Sequence, residues 1–548
     1  MLRGLMMDRP LLVSSIIDYA AEIRSDTEVV SARVEGDVHR YTYADSRRRI
    51  AQLANWLRAY GIKPGDRVAT LAWNGYRHFE LYYAIAGIGA VCHTINPRLF
   101  PEQLVYIVNH ADDRLLFLDT TFTPLVEKLI DRMPKGMRPV LMTDRARMPH
   151  TSLADPLCYE ELLADQPDTI VWPEFDENAA CGLCYTSGTT GNPKGVLYSH
   201  RSTLLHSMGM LVAGDGIGLR PGQSILPVVP LFHVNAWGLP YVMPLVGTRP
   251  VFPGPKLDGP SLFALLDQEK VTAAWGVPTV WLGLAAEMRK QGRAPDGLEI
   301  VLTGGSAAPG PLIRELETDF GLDIIHGWGM TEMSPVGSLT LLDEGMRRAS
   351  AEKRLGWKNS QGRRLFGCDL KIVDAGGNRL PHDGVAFGEL LVRGAAVMSA
   401  YFNDEAASAA SHDAEGWLRT GDVARIDPDG FLTIVDRTKD VIKSGGEWIS
   451  SIDLENAAIG HPAIAECAVI AAAHPKWAER PLLVAVLKEG QTATPDEIRN
   501  FLSDKVAKWW LPDDVLFVDE LPHTATGKLS KLTLRDRFRD HVLPTAEG

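Results

Sequence analysis

Tyr185-Thr-Ser-Gly-Thr-Thr-Gly-Asn-Pro-Lys-Gly195 follows directly on an apolar run, Cys181-Gly-Leu-Cys-Tyr185, which reads as a buried strand. Glycine lets such a loop turn tightly and point successive N–H groups at one place. Thr186, Ser187, Thr189 and Thr190 add hydroxyl donors around Gly188, and Lys194 adds a positive charge. Together they make a nest suited to a polyphosphate. It is not a Walker loop, because Gly195 stands where Ser or Thr would follow the lysine. Nor is it a nucleophile elbow, since Ser187 lacks the glycine two residues before it. A plain surface turn has no need of so many hydroxyls and a lysine.

Outward from the loop, helix and strand alternate. Arg47 to Tyr60 has helical apolar spacing, stops at Gly61, and is followed by the strand-like run from Arg67 to Trp73. Similar strands are expected at Leu115 to Asp119, Val271 to Trp275 and Leu298 to Leu302. This alternation predicts an α/β fold of mostly parallel sheets covered on both faces. From Asp369 the texture changes. Short runs at Leu370 to Val373, Gly388 to Val392 and Phe431 to Val435, with Gly- and Asp-rich turns between them, predict a small antiparallel sheet or barrel. After Asp436 an α+β tail follows, in which the capping box Thr494-Pro-Asp-Glu497 opens a helix expected to reach Trp509. The expected division is a large N-terminal domain at 1–436, made of parallel α/β subdomains plus a small β-barrel-like part. A hinge at 437–442 and a small mobile α+β C-terminal domain at 443–548 complete it.

Two further glycine-bearing stretches are expected just after strands: Gly304-Gly305-Ser306, and His326-Gly-Trp-Gly-Met-Thr-Glu332 after Leu322 to Ile325. Parallel sheets place ligands at such carboxyl ends. Gly327 and Gly329 beside the flat Trp328 can sandwich a purine, Thr331 can bond a phosphate, and Glu332 can hold Mg²⁺. Thr420-Gly421-Asp422 reads as a turn between short strands.

In this order, over nearly the whole chain, the motifs resemble the adenylate-forming superfamily of acyl- and aryl-CoA synthetases, luciferases and peptide-synthetase adenylation domains. The resemblance is strongest to bacterial medium- and long-chain fatty acyl-CoA ligases, and methylmercaptopropionate-CoA ligases share much of the pattern. It implies an AMP-forming acid:CoA ligase that uses ATP, Mg²⁺ and CoA, with no permanent prosthetic group. It also implies that Gly304, Gly305, Ser306 and His326 belong to the ATP site, as do Trp328 and its neighbours. Asp422 would bind both ribose hydroxyls, Arg437 would assist at the ribose or phosphates, and Lys439 would be the hinge pivot. Leu521-Pro-His-Thr-Ala-Thr-Gly-Lys528 matches the family's terminal lysine motif. Lys528 would then neutralise the attacking carboxylate and the α-phosphate oxygens. Gly445, Gly446, Glu447 and Trp448 would border the pantetheine tunnel of CoA.

The resemblance reaches the acid as well. Pro230 to Gly238 matches the segment lining the acid site, with His233 near the carboxylate or thiol path and Trp237 as a gate. Acetate-specific relatives carry a tryptophan where this chain has Gly329, so a deeper slot is expected here. Each buried methylene is worth roughly 0.8 kcal/mol, which favours medium- to long-chain fatty acids over acetate. Thioether, branched and aryl acids stay open. A homodimer through the large domain is also implied.

The chain has 548 residues and a formal net charge of −13, which argues against non-specific nucleic-acid binding. The N-terminus lacks a signal-peptide pattern, and prolines break the apolar region from Leu231 to Phe252, which is expected to be core and not a membrane span. Six scattered cysteines suit a reducing cytoplasm. Cys181 and Cys184, in one strand, are expected to face opposite sides. A stand-alone adenylation enzyme or luciferase-like oxygenase would share the first half-reaction. A peptide-synthetase module is disfavoured because the sequence ends soon after Lys528. A nucleotide-binding regulator without catalysis should have lost one of Lys194, Glu332, Asp422, Arg437 and Lys528, and all are present.

Overall fold

The computed structural model describes residues 1–186, 192–445, 447–523 and 529–546. Ser187, Gly188, Thr189, Thr190, Gly446 and Lys528, with the side chain of Glu447, lie outside the described residues. Among the described residues the strands form four sheets. The first orders Leu157–Cys158, Arg138–Leu141, Asp113–Leu118, Arg67–Leu71, Val91–Thr94, Ala180–Tyr185 and Gly195–Ser199, with only the last pair antiparallel. The second has a parallel centre from Asp323–Gly329 through Ile300–Thr303, Ala273–Gly276, Ser224–Pro227 and Arg249–Phe252 to Glu28–Ala32. Its edges are antiparallel, formed by Val336–Leu339 with Arg363–Arg364 on one side and Val38–Thr42 on the other.

Packing explains why these strands read as unbroken apolar runs. Val68, Leu115 and Phe117 enter one core cluster, while Ala69, Leu116 and Leu118 enter another on the opposite face. Both faces are therefore dry, as parallel sheets require. The first cluster also takes Val29, Ile225, Trp275 and Leu302 from the second sheet, so a single core fills the space between the two. The expected helix before Arg67 begins earlier, at Tyr43, because Thr42 and Asp45 form a reciprocal capping box; Gly61, at φ +103°, ends it.

The change of texture after Asp369 is a four-stranded antiparallel meander of Cys368–Val373, Phe387–Gly394, Leu418–Ile426 and Leu432–Arg437. Trp328 and Met333 pack into its core, which joins it to the Asp323–Gly329 edge of the second sheet. The separate small C-terminal domain holds the fourth sheet, in which Ile464–His474 and Ala478–Leu487 form the long central pair. Its capped helix, Pro495–Ser503, stops short of the expected Trp509. The Arg480 guanidinium takes the carbonyls of Trp509 and Leu511 at 2.8 and 3.2 Å, which holds that stretch out of the helix.

Two local expectations fail for a shared reason, a strand irregularity that residue types do not reveal. A register shift between Ala180 and Gly182 makes Cys181 a bulge, so Cys181 and Cys184 enter the same core cluster and do not face apart. Asp422 lies inside the strand Leu418–Ile426 and not in a turn, beside a second register shift and the positive-φ Gly421. All six cysteines are buried and free. Among the described residues no helix is long and apolar enough to cross a membrane.

Candidate active site

The strand Ala180–Tyr185 and its antiparallel neighbour Gly195–Ser199 form the neck of the phosphate loop. The Thr186 N–H donates to the Lys194 carbonyl at 2.9 Å, and the Lys194 N–H donates to Thr186 Oγ1 at 3.2 Å, closing that neck. Both residues line a cavity of about 800 Å³ at the carboxyl edge of the sheets. Gly304, Gly305, Gly327, Trp328, Gly329, Thr331 and Glu332 line it too. Arg437 and Lys439 close one side, and from the small domain come His523 and Leu529, the described residues that flank 524–528.

Glycine is required here by close approach. A Cβ on Gly304 would lie 2.8 Å from the Gly327 carbonyl oxygen, and Gly305 has φ +79°. Trp328 Nε1 donates to Asp422 Oδ2 at 2.8 Å, and Arg437 Nε meets Asp422 Oδ1 at 2.8 Å. The carboxylate is thus held from both sides, 3% exposed, just behind the cavity wall. Glu332 is buried, which raises its carboxyl pKa above the ordinary glutamate range, while the hydroxyl of Tyr401 partly offsets this by donating to Oε1 at 2.8 Å. The Thr331 carbonyl accepts from the Tyr198 hydroxyl at 2.7 Å, pinning the turn that precedes Glu332.

The acid end rests on an unusual backbone. Val234, Asn235, Ala236, Trp237 and Gly238 have φ of +44°, +53°, +43°, +58° and +87°, a left-handed turn. The Tyr82 hydroxyl holds it by donating to the Leu231 carbonyl and, at 3.2 Å, to Asn235 Oδ1. Asn74 fixes the approach: its amide donates to the carbonyls of Pro227 and Val229 at 2.7 and 2.9 Å, and its oxygen accepts from Leu231 N–H at 2.6 Å. His233 and Trp237 both line the cavity, and a Trp237 ring carbon lies 3.3 Å from where a Gly304 Cβ would be.

Besides Asp422, which lies behind the wall, four expected site residues do not line the cavity. His326 is 1% exposed, with burial pushing its imidazole down to about 4, and it does not line the cavity. The motif 326–329 continues the strand Asp323–Gly329 where a loop was expected, and strand alternation turns the ring into the core. Ser306 is exposed but off the wall. Gly445 and Trp448 sit on the hairpin of Ile442–Ser444 and Glu447–Ile449, away from the cavity. Gly445 N–H donates to the Trp477 carbonyl at 2.9 Å, and Trp448 packs 5.9 Å from Phe387. Gly329 does line the cavity, but its Cβ would fall 2.1 Å from the Pro335 carbonyl oxygen. That glycine therefore also serves the close approach of two strands. Tyr401, Tyr198 and Asn74 escaped the sequence reading, because none lies in a motif and each acts across a long sequence separation.

Parallel sheets, a separate small C-terminal domain and a glycine-rich loop on a shared cavity place the protein in the adenylate-forming class. The family profile described as AMP-binding enzyme matches residues 17–402, and that of the AMP-binding enzyme C-terminal domain matches 453–528. The 3-methylmercaptopropionyl-CoA ligase of Ruegeria lacuscaerulensis is 49% identical, over 98% of this chain and 99% of its own. The medium-chain-fatty-acid–CoA ligase of Ectopseudomonas oleovorans is 48% identical, over 100% of this chain and 99% of its own. A crystal structure of an anthranilate CoA ligase with anthranoyl-AMP superposes with a TM-score of 0.84 at 26% identity, covering 97% of this chain and 98% of that one. The chain belongs to the AMP-binding enzyme family, as an AMP-forming acyl-CoA ligase whose substrates are a carboxylic acid, ATP and CoA.

Proposed function

We propose that the acid is a medium- to long-chain fatty acid. The observation that carries this is the apolar wall around Trp237, formed by Val234, Leu302, Pro335 and Val336. Such a wall rewards each buried methylene by roughly 0.8 kcal/mol and offers nothing to a second carboxylate. The test is thioester formation across straight-chain acids from acetate to octadecanoate, with aryl acids and 3-methylmercaptopropionate alongside. A maximum on acetate would sink the reading. The position of Trp237 favours a second reading. Its indole packs against Gly304 and Gly305 on the cavity wall, where it would shorten the space left for an acyl chain and suit a short thioether acid. If Trp237→Ala gains long acids without losing 3-methylmercaptopropionate, the short acid is the native one.

In the proposed chemistry the acid's carboxylate attacks the ATP α-phosphorus and pyrophosphate leaves. Thr186 and the phosphate loop bind the polyphosphate, Lys194 and Lys528 offset its charge, and Trp328, Gly304 and Gly305 hold the base. Asp422 and Arg437 hold the ribose, and His233 lies beside the reacting carboxylate. The magnesium ion enters with the nucleotide as part of the substrate. Glu332 suits it as a single carboxylate, since Mg²⁺ keeps phosphate and water ligands. Among the described residues no group of three or more His, Cys, Asp or Glu is arranged to hold a metal without the nucleotide.

The second half-reaction needs a different arrangement. The small domain rotates about Lys439, within a 437–442 hinge between 1–436 and 443–548, taking Lys528 away and bringing Gly445 to Trp448 to the site. That Gly445 and Trp448 do not line the cavity supports two arrangements, one for each step. Lys528→Ala should abolish adenylation yet leave thioester formation from preformed acyl-adenylate largely intact; equal loss of both refutes its assigned role. We place the enzyme in the cytoplasm, with its thiols free, and as a homodimer.

A further inference from the structure

We propose that Tyr401 is a positioning residue that keeps Lys194 and Glu332 apart and aimed at the metal-bound polyphosphate. The inference rests on the reading of Glu332 and Lys194 as nucleotide-site residues. Tyr401 lies in none of the motifs, yet it touches both groups. Its hydroxyl donates to Glu332 Oε1 at 2.8 Å, and the ammonium of Lys194 sits over its ring, 4.9 Å from the centroid.

The segment around it is tied to the same two places by backbone bonds. Met398 N–H donates to the Glu332 carbonyl at 2.8 Å, and Phe402 N–H donates to the Gly195 carbonyl at 2.8 Å. Ser408 Oγ accepts from Tyr401 N–H at 2.9 Å, fixing the residue itself. The strap from Met398 to Phe402 therefore spans the end of the phosphate loop and the turn bearing Glu332.

A carboxylate and an ammonium on one cavity wall attract each other strongly when water is scarce. Among the described residues no ion pair joins Lys194 to Glu332. The aromatic ring takes the cation on its face and the phenol takes one carboxylate oxygen at its edge. Each charge is satisfied without cancelling the other. Glu332 Oε2 stays available to the metal, and Lys194 to phosphate oxygens.

Binding titrations on the full-length protein test this, with MgATP and metal-free AMP as the two ligands. Losing a hydrogen bond to a charged group costs about tenfold in binding. Tyr401→Phe is therefore expected to weaken MgATP by about that factor, to raise the magnesium concentration for half-saturation, and to leave AMP and the thermal midpoint nearly unchanged. Tyr401→Ala should weaken MgATP further. Equal weakening of MgATP and AMP by Tyr401→Phe, or no weakening of either, overturns the proposal. Glu332→Gln separates the two layers. If it leaves the magnesium dependence unchanged, the reading of Glu332 fails; if it shifts that dependence and Tyr401→Phe does not, only the role of Tyr401 fails.

Discussion

Trp328 and Asp422, distant in sequence, are joined by a 2.8 Å hydrogen bond from the indole Nε1 to Oδ2. The bond fastens the Asp323–Gly329 edge of the second sheet to the antiparallel meander, while Arg437 holds the other oxygen. One carboxylate thus ties the two sheets together just behind the cavity wall.

Asp422→Ala should accordingly harm both. It strands a buried indole N–H, a loss of about 1–3 kcal/mol, and it should raise the KM for ATP in pyrophosphate exchange. Arg437→Ala is the control, because that side chain is 49% exposed and its ion pair should add little to stability. It should raise the KM for ATP with little change in melting temperature. Equal melting losses in the two variants would mean that the carboxylate has no structural share.

Gly329→Trp should not convert the enzyme to an acetate ligase. Its Cβ would press on the Pro335 carbonyl, and even Gly329→Ala is expected to cost about 1–3 kcal/mol of overpacking in thermal or urea unfolding. A stable tryptophan variant that prefers acetate would show that the strands part more easily than their geometry implies.

Stability should fall in mild acid. Burial holds the imidazoles of His78, His200, His206 and His326 down to about 4, against 6.5 for an ordinary histidine. The unfolded chain therefore binds protons first. The stabilisation they carry is fully present above 6.5 and is lost as pH drops from there toward about 4. His326→Phe should lose less stability than the native chain between about pH 7 and about pH 5 in urea titrations. An identical slope for both would remove His326 from the account.

Lys439→Pro should separate the half-reactions. Proline fixes φ and resists the backbone change that a rotation at this residue demands. Pyrophosphate exchange should survive within about threefold while CoA thioester formation falls by more than about a hundredfold, figures set by a block on one conformational step. Parallel loss of both activities would place the hinge elsewhere.

Much of this was legible in the sequence because strand and loop chemistry are local. The apolar runs at Leu115 and Leu298 marked parallel strands, and the hydroxyl-rich loop after Tyr185 pointed to the cavity that its ends, Thr186 and Lys194, line. Bulges were not legible, since Cys181 and Asp422 have side chains equally at home in regular strand or turn. His326 was drawn to the site by its neighbours in a motif, whereas the pleat sends its ring inward. Tyr401 and Asn74 were invisible because their partners lie far away along the chain. The roles of the acid-site residues depend on shape, and the close packing of Gly329 against Pro335 was not legible in its motif.

The left-handed turn from Val234 to Gly238 limits how the enzyme can change its diet. Such backbone costs about 1–2 kcal/mol per residue for ordinary side chains, and it persists because Tyr82 and Asn74 grip it from the first sheet's side. Substitutions within the turn spend stability before they alter the slot. New acids are more easily admitted by changing the cavity-lining strand residues Leu302 or Val336, which lie outside the turn. Relatives that differ in their acid should then differ more at those strand positions than along the turn, which makes the turn a fixed rail and the strands the adjustable part.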